Sequence, residues 1–205
     1  MSPTSTSTTR GREHALMVSG IGGQGIQLLA KTLAQALTEQ GRYAMLGAEY
    51  GGEMRGGPTQ ATVVVGDAPL RALPIVPRAD TAILMHDRFS ENTLARLAPG
   101  GLSLVNSSVA PDDFLADRDP VVRVPATALA REAGAAQAGG FVMLGAYCAL
   151  TGVAGHDELV ATMTALLPPY RRQHAEGNAR ALEAGAAHVA GTPIPTIPTA
   201  AGALS

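Results

Sequence analysis

Ala15-Leu16-Met17-Val18-Ser19-Gly20-Ile21-Gly22-Gly23-Gln24-Gly25-Ile26-Gln27-Leu28-Leu29 decides how the rest of the chain is read. Ala15 to Val18 is a short apolar run bounded by glycine, the pattern of a buried strand. From Gln24 to Gln40, Ile26, Leu29, Leu33, Ala36 and Leu37 share one helical face, and Gly41 stands where a helix ends. Between strand and helix, Gly20 to Gly25 satisfies G-x-G-x-x-G. Glycines there allow a tight turn and a close backbone approach to a phosphate. The helix then offers free N–H groups and its positive dipole end. The same six residues also serve as a tight strand–helix turn that binds nothing. A nicotinamide cofactor further asks for an acid closing the second strand. Glu49 stands 24 residues after Gly25 and three past that strand's apolar part, an imperfect fit.

Working outward, short apolar runs predict strands at 43–46, 61–65, 81–85, 102–105 and 121–124. A helix is predicted over about 88–97, and Pro99-Gly100-Gly101 predicts a turn before the fifth strand. Strands alternating with helices imply βαβ units: an α/β fold with a mainly parallel, Rossmann-like sheet and flanking helices. Beyond Ala126 helices are predicted at 126–133, 141–150, 157–166 and 170–188, giving a helical C-terminal third. Residues 1–12, rich in Ser and Thr, read as a disordered tail. Residues 13–190 form the Rossmann-like domain, and 191–205, with Pro193, Pro195 and Pro198, read as an extended tail.

A second glycine cluster runs from Gly47 to Pro58 (GAEYGGEMRGGP). Five glycines, two carboxylates, an Arg and a Tyr in twelve residues predict a loop rather than a regular element. It follows the carboxyl end of a strand, where open α/β sheets place ligands. A flexible surface loop has the same composition, but charged residues are sparse in this chain and three gather here. His86-Asp87 and Asn106-Ser107-Ser108 also follow strand carboxyl ends. Their plain readings are a helix cap and a hydrogen-bonded turn. No Ser-His-Asp set, metal-ligand spacing or P-loop lysine is visible, so no catalytic residue and no metal ligand is assigned.

Composition narrows the function. Hydrophobic residues make up 46% of the 205 and charged ones 16%, with a mean hydropathy of +0.13. Soluble domains carry about 25% charged residues. The surplus of apolar surface implies a large subunit interface. The net charge of -2 excludes a basic nucleic-acid face. One cysteine, Cys148, excludes a disulfide framework and a Cys-held zinc or iron–sulfur site, and points to the cytoplasm. Residues 15–36 loosely mimic a secretory signal, but their glycines, glutamines and Lys31 break the apolar helix such a signal needs. Residues 133–155 carry no formal charge, yet six glycines and an Ala-rich character point to a buried helix rather than a membrane span.

GIGGQG at 20–25, EYGGEMRGG at 49–57, PGGLSLVNSS at 99–108 and HAEGNARALEAG at 174–185 together resemble the gamma subunit, or fused gamma domain, of 2-oxoacid:ferredoxin oxidoreductases. Order and spacing agree over roughly 14–188. The chain departs at Gly52, where the family often has Pro, and before Phe141, where it often has Asn. The resemblance implies a multisubunit enzyme that oxidatively decarboxylates a 2-oxoacid with coenzyme A, giving an acyl-CoA and carbon dioxide. It places thiamine diphosphate and iron–sulfur clusters on partners: thiamine-binding alpha and beta subunits and a ferredoxin-like subunit. It implies that Gly20, Gly22, Gly23, Gln24 and Gly25 line a phosphate-approach loop of a shared coenzyme A site. Glu53 and Arg55 would face the active-site channel, and Gly56 and Asn106 complete the cofactor-binding set. A stand-alone nicotinamide- or flavin-binding protein and a purely structural assembly subunit are the other readings. The resemblance leaves the oxoacid and the final electron acceptor open.

Overall fold

In the computed structural model, which describes residues 13–50, 56–70 and 76–193, the strand read at 15–18 runs Glu13–Ile21 (β1). The helix that follows is Ile26–Glu39 (α1), with Gly41 just beyond it at φ 78°. Five more strands complete one sheet: Tyr43–Tyr50 (β2), Pro58–Gly66 (β3), Ala79–Leu84 (β4), Leu97–Asn106 (β5) and Val121–Val124 (β6). Their order is β2-β3-β1-β4-β5-β6. β1, β4, β5 and β6 are parallel neighbours. β3 runs antiparallel to both β1 and β2, so the sheet is mixed and mostly parallel. The α/β expectation holds, and the inserted antiparallel strand is new.

Several local expectations shift. The segment 47–58 is not wholly a loop: β2 continues to Tyr50, and Pro58 opens β3. Pairing with β3 supplies the ladder bonds that glycine-rich sequence alone does not promise. The helix expected over 88–97 is only Glu91–Ala95 (α2), because Leu97 turns into β5 and is buried. The turn expected at 99–101 is an irregularity inside β5. There β4 advances from Ala79 to Thr81 while β5 advances from Leu97 to Leu102. Gly100 takes φ 72° there, and a Cβ on Gly101 would sit 2.9 Å from the Ala98 carbonyl oxygen. Bulged residues of this kind are where glycine is needed.

The helices Ala126–Glu132 (α3), Gly139–Thr151 (α4), His156–Leu166 (α5) and Ala175–His188 (α6) form the C-terminal layer. The helix expected over 170–188 begins instead with a 3-10 turn, Pro169–His174. α4 is buried on nearly all sides, which accounts for the uncharged run 133–155. It crosses α6 at very close range. A Cβ on Gly145 would collide with the Leu182 carbonyl, and one on Gly185 with the Val142 carbonyl. No helix among the described residues is long and apolar enough to cross a membrane. The main core joins α1, α4 and α6 to Leu16, Val18, Val63, Ile83 and Leu104 of the sheet. The other sheet face carries Ala15, Met17 and Val64 beside Val76, and Leu84 and Val105 beside Ala110.

Candidate functional site

The glycine loop sits at the carboxyl end of β1, the edge where the parallel strands β4 and β5 also end and antiparallel β3 begins. Gly20 is buried, and a Cβ there would lie 2.7 Å from Met85 Cβ. Glycine there permits close packing of the strand end against Met85 and Ile26. Gly23 and Gly25 are exposed, open and at positive φ, 104° and 77°. There the backbone conformation, and not crowding, asks for glycine. The Gly22 N–H donates to the Gly57 carbonyl at 2.9 Å. The second glycine cluster therefore folds back onto the first, as β3 runs antiparallel from Pro58 beside Ile21. Glu53 and Arg55 lie outside the described residues. Gly56 is exposed, at φ 76°, with its N 3.7 Å from where a Gly22 Cβ would stand.

Gln24 and Asn106 turn inward. The Ile21 N–H donates to Gln24 Oε1 at 2.8 Å, and Gln24 Nε2 donates to the Met85 carbonyl at 3.2 Å. Asn106 Nδ2 donates to the same carbonyl at 3.2 Å and to Thr127 Oγ1 at 3.1 Å. Asn106 Oδ1 accepts from the N–H groups of Ser108 and Thr127. Asn106 is fully buried. These two amides clip together the loops after β1, β4 and β5 and hold the glycine loop in place.

A cavity of about 400 Å³ opens against this loop. Its walls include Gly23, Gln24, Gly25, Gly140, Arg171 and His174. Two helices begin at it, α1 after Gly25 and α4 after Ala138, neither with a side-chain cap, while α6 continues from the 3-10 turn Pro169–His174. The first-turn N–H groups of α1 and α4 lack intrahelical partners, and both helices bring their positive dipole ends to the cavity. Among the described residues no carboxylate lines the cavity, whereas an arginine and a histidine do. The arrangement suits an anion, above all a phosphate ester. Arg171 and His174 lie some 150 residues from the glycine loop, and sequence reading assigned them no part. The only signals were the HAEGNARALEAG motif and the basic run Arg171-Arg172.

The nicotinamide reading fares worse. Glu49 ends β2, but β3 stands between β2 and β1. Two strand spacings, ~9–10 Å, separate that acid from the glycine strand, where dinucleotide folds use adjacent strands. A sequence model described as pyruvate ferredoxin/flavodoxin oxidoreductase matches residues 15–188. The chain belongs to this family. It is 30% identical over 177 residues to the 2-oxoglutarate synthase subunit KorC of Methanothermobacter marburgensis, covering 83% of this chain and 93% of that subunit. It is 34% identical over 146 residues to the ketoisovalerate oxidoreductase subunit VorA of Methanothermobacter thermautotrophicus, covering 71% of this chain. The match spans only 30% of that VorA subunit's length. The fold matches the crystal structure of the gamma subunit of a keto/oxoacid ferredoxin oxidoreductase from Geobacter sulfurreducens. The TM-score is 0.70 at 24% identity, covering 86% of this chain and 95% of that one. In this family member a mostly parallel sheet carries the glycine loop at the carboxyl end of β1.

Proposed function

We propose that the chain works as the gamma subunit of a cytoplasmic, thiamine diphosphate-dependent 2-oxoacid:ferredoxin oxidoreductase, helping to bind coenzyme A. The observation that carries this is the cavity at the glycine loop, where the uncapped N-termini of α1 and α4 meet Arg171 and His174. Coenzyme A is rich in phosphate and supplies the thiol that receives the acyl group. Gly23 and Gly25 let the backbone approach one phosphate closely, while Arg171 brings a cation and His174 a hydrogen-bonding imidazole to the wall. Gln24 and Asn106 keep the loop rigid, so little ordering cost is left for binding. Chemistry on the oxoacid is assigned to partners, because one buried cysteine cannot hold a cluster. Thiamine diphosphate and the iron–sulfur clusters accordingly belong to the thiamine-binding alpha and beta subunits and a ferredoxin-like subunit.

Arg171→Ala in the assembled complex tests the reading. Loss of a charge-assisted contact, ~1.5 kcal/mol, raises the KM for coenzyme A about tenfold. Coenzyme A-independent decarboxylation and subunit stoichiometry stay as in the wild type. An assembled variant with an unchanged KM for coenzyme A would refute the site.

A further inference from the structure

Asn178 stands in the HAEGNARALEAG motif, one helical turn beyond His174, and lines the same cavity. The residue is only 8% exposed. A Cβ on the preceding Gly177 would sit 3.0 Å from Ala135 Cβ, so α6 lies tight against the segment before α4 and fixes where the amide stands. Arg180 Nε ties the same surfaces together by donating to the Ala133 carbonyl at 3.0 Å. The Asn178 side chain makes one hydrogen bond among the described residues, from Nδ2 to Met163 Sδ at 3.6 Å. A thioether is a weak acceptor. Turning the amide over would set its oxygen against the sulfur lone pairs, so Oδ1 is the atom left to find a partner.

That oxygen has no donor among the described residues, and unlike Ser103 Oγ it is not sealed from the surface. Because the residue is otherwise buried and lines the cavity, Oδ1 opens into it. An unmet acceptor on a buried amide is costly, and a ligand that brings an N–H removes the cost. Leu28, Phe141 and Leu167 add apolar wall to the same cavity. An anion end at Gly23, Gly25 and Arg171 is thereby joined to apolar surface with one open amide, the make-up of a site for a phosphate and a flat base.

We infer that Asn178 recognises the amino edge of an adenine base and makes the cavity selective for adenine nucleotides. The inference rests on the coenzyme A reading above. The thiol end of that molecule reacts on the partners and so leaves this chain, which assigns the adenine nucleotide end to the cavity. Asn178 Oδ1 accepts from the 6-amino group, and the second Nδ2 hydrogen donates to the adjacent ring nitrogen, the two-bond pairing asparagine makes with adenine. A 6-oxopurine sets a carbonyl oxygen against Oδ1, leaving two acceptors face to face and both unpaired.

Calorimetry on the assembled complex tests this, with adenosine 5′-diphosphate and inosine 5′-diphosphate as probes. The wild type should bind the adenosine nucleotide about tenfold more tightly or better. Asn178→Leu, close to isosteric, should lose that preference: the adenosine nucleotide weakens about tenfold and the inosine nucleotide hardly changes. A purely structural Asn178 weakens both alike. No binding of the adenosine nucleotide, equal binding of the two by the wild type, or an equal fall in the variant would overturn the base recognition. So would tighter binding of 4′-phosphopantetheine than of adenosine diphosphate, since the other end of the molecule would then be the occupant. Arg171→Ala should weaken both nucleotides alike; if it weakens neither, the phosphate site proposed above fails, a result separate from the base preference.

Discussion

Gln24→Met keeps the side chain's length and deletes its two amide contacts, to the Ile21 N–H and the Met85 carbonyl. Each contact contributes ~0.5–1.5 kcal/mol net. The Met85 carbonyl retains Asn106 Nδ2 at 3.2 Å, so this variant orphans only the Ile21 N–H. The expected cost is ~1–2 kcal/mol, or a fall of ~2–8 °C in Tm for a chain of this size. Asn106→Leu removes the second donor to that carbonyl together with the contacts to Ser108 and Thr127. Combining the two leaves the carbonyl of Met85, a residue 2% exposed, with no donor among the described residues. An orphaned buried acceptor costs ~1–3 kcal/mol. The double variant therefore loses at least ~1 kcal/mol beyond the sum of the singles. Urea unfolding of the four chains, followed by circular dichroism, gives the cycle. Additivity within ~0.5 kcal/mol would show that the two amides do not share the Met85 carbonyl, and the clip would fall with it.

Gly145→Ala puts a methyl group into the Leu182 carbonyl across the α4–α6 crossing. A loss of ~3 kcal/mol is expected, at the top of the overpacking range because backbone and not a side chain must yield, and thermal melting reads it. Gly152→Ala meets open space at φ 64° and should cost only ~1 kcal/mol, from backbone strain alone. The Cys148 thiol is pushed up by burial and is 5% exposed. It should resist a thiol reagent at pH 8 in the native chain and react at once in denaturant. Hydrogen bonds from Gln35 and Thr162 hold the Glu39 carboxyl below its ordinary value of 4.5. Its contribution to the α1–α5 contact is present above that pH and is lost as the pH falls through the lowered value. Acid unfolding of Glu39→Gln should lack that component.

Local pattern made the first half of the fold legible. An apolar run at 15–18, six residues rich in glycine and a 3.6-residue period placed the middle of β1, the loop, and α1 to within two residues at each end. The uncharged stretch 133–155 announced a buried helix, and α4 is that helix. The paired glycine motifs marked the family that residues 15–188 match. Their residue types state what the backbone must do locally, and local conformation is written in neighbouring residues.

Tertiary structure alone decided the rest. Apolar alternation reads the same in a parallel and an antiparallel strand, so the direction of β3 was hidden. With it was hidden the contact between Gly22 and Gly57. The family resemblance put Gln24 and Asn106 in the cofactor-binding set, while Asn106-Ser107-Ser108 also read as a hydrogen-bonded turn. Only the converging distances to one Met85 carbonyl show them to be braces. Arg171 and His174 join Gly23 across some 150 residues of chain, a proximity no local period encodes. Long-range neighbours follow from how the apolar faces of α1, α4 and α6 close on one sheet, and that packing is a property of the whole chain.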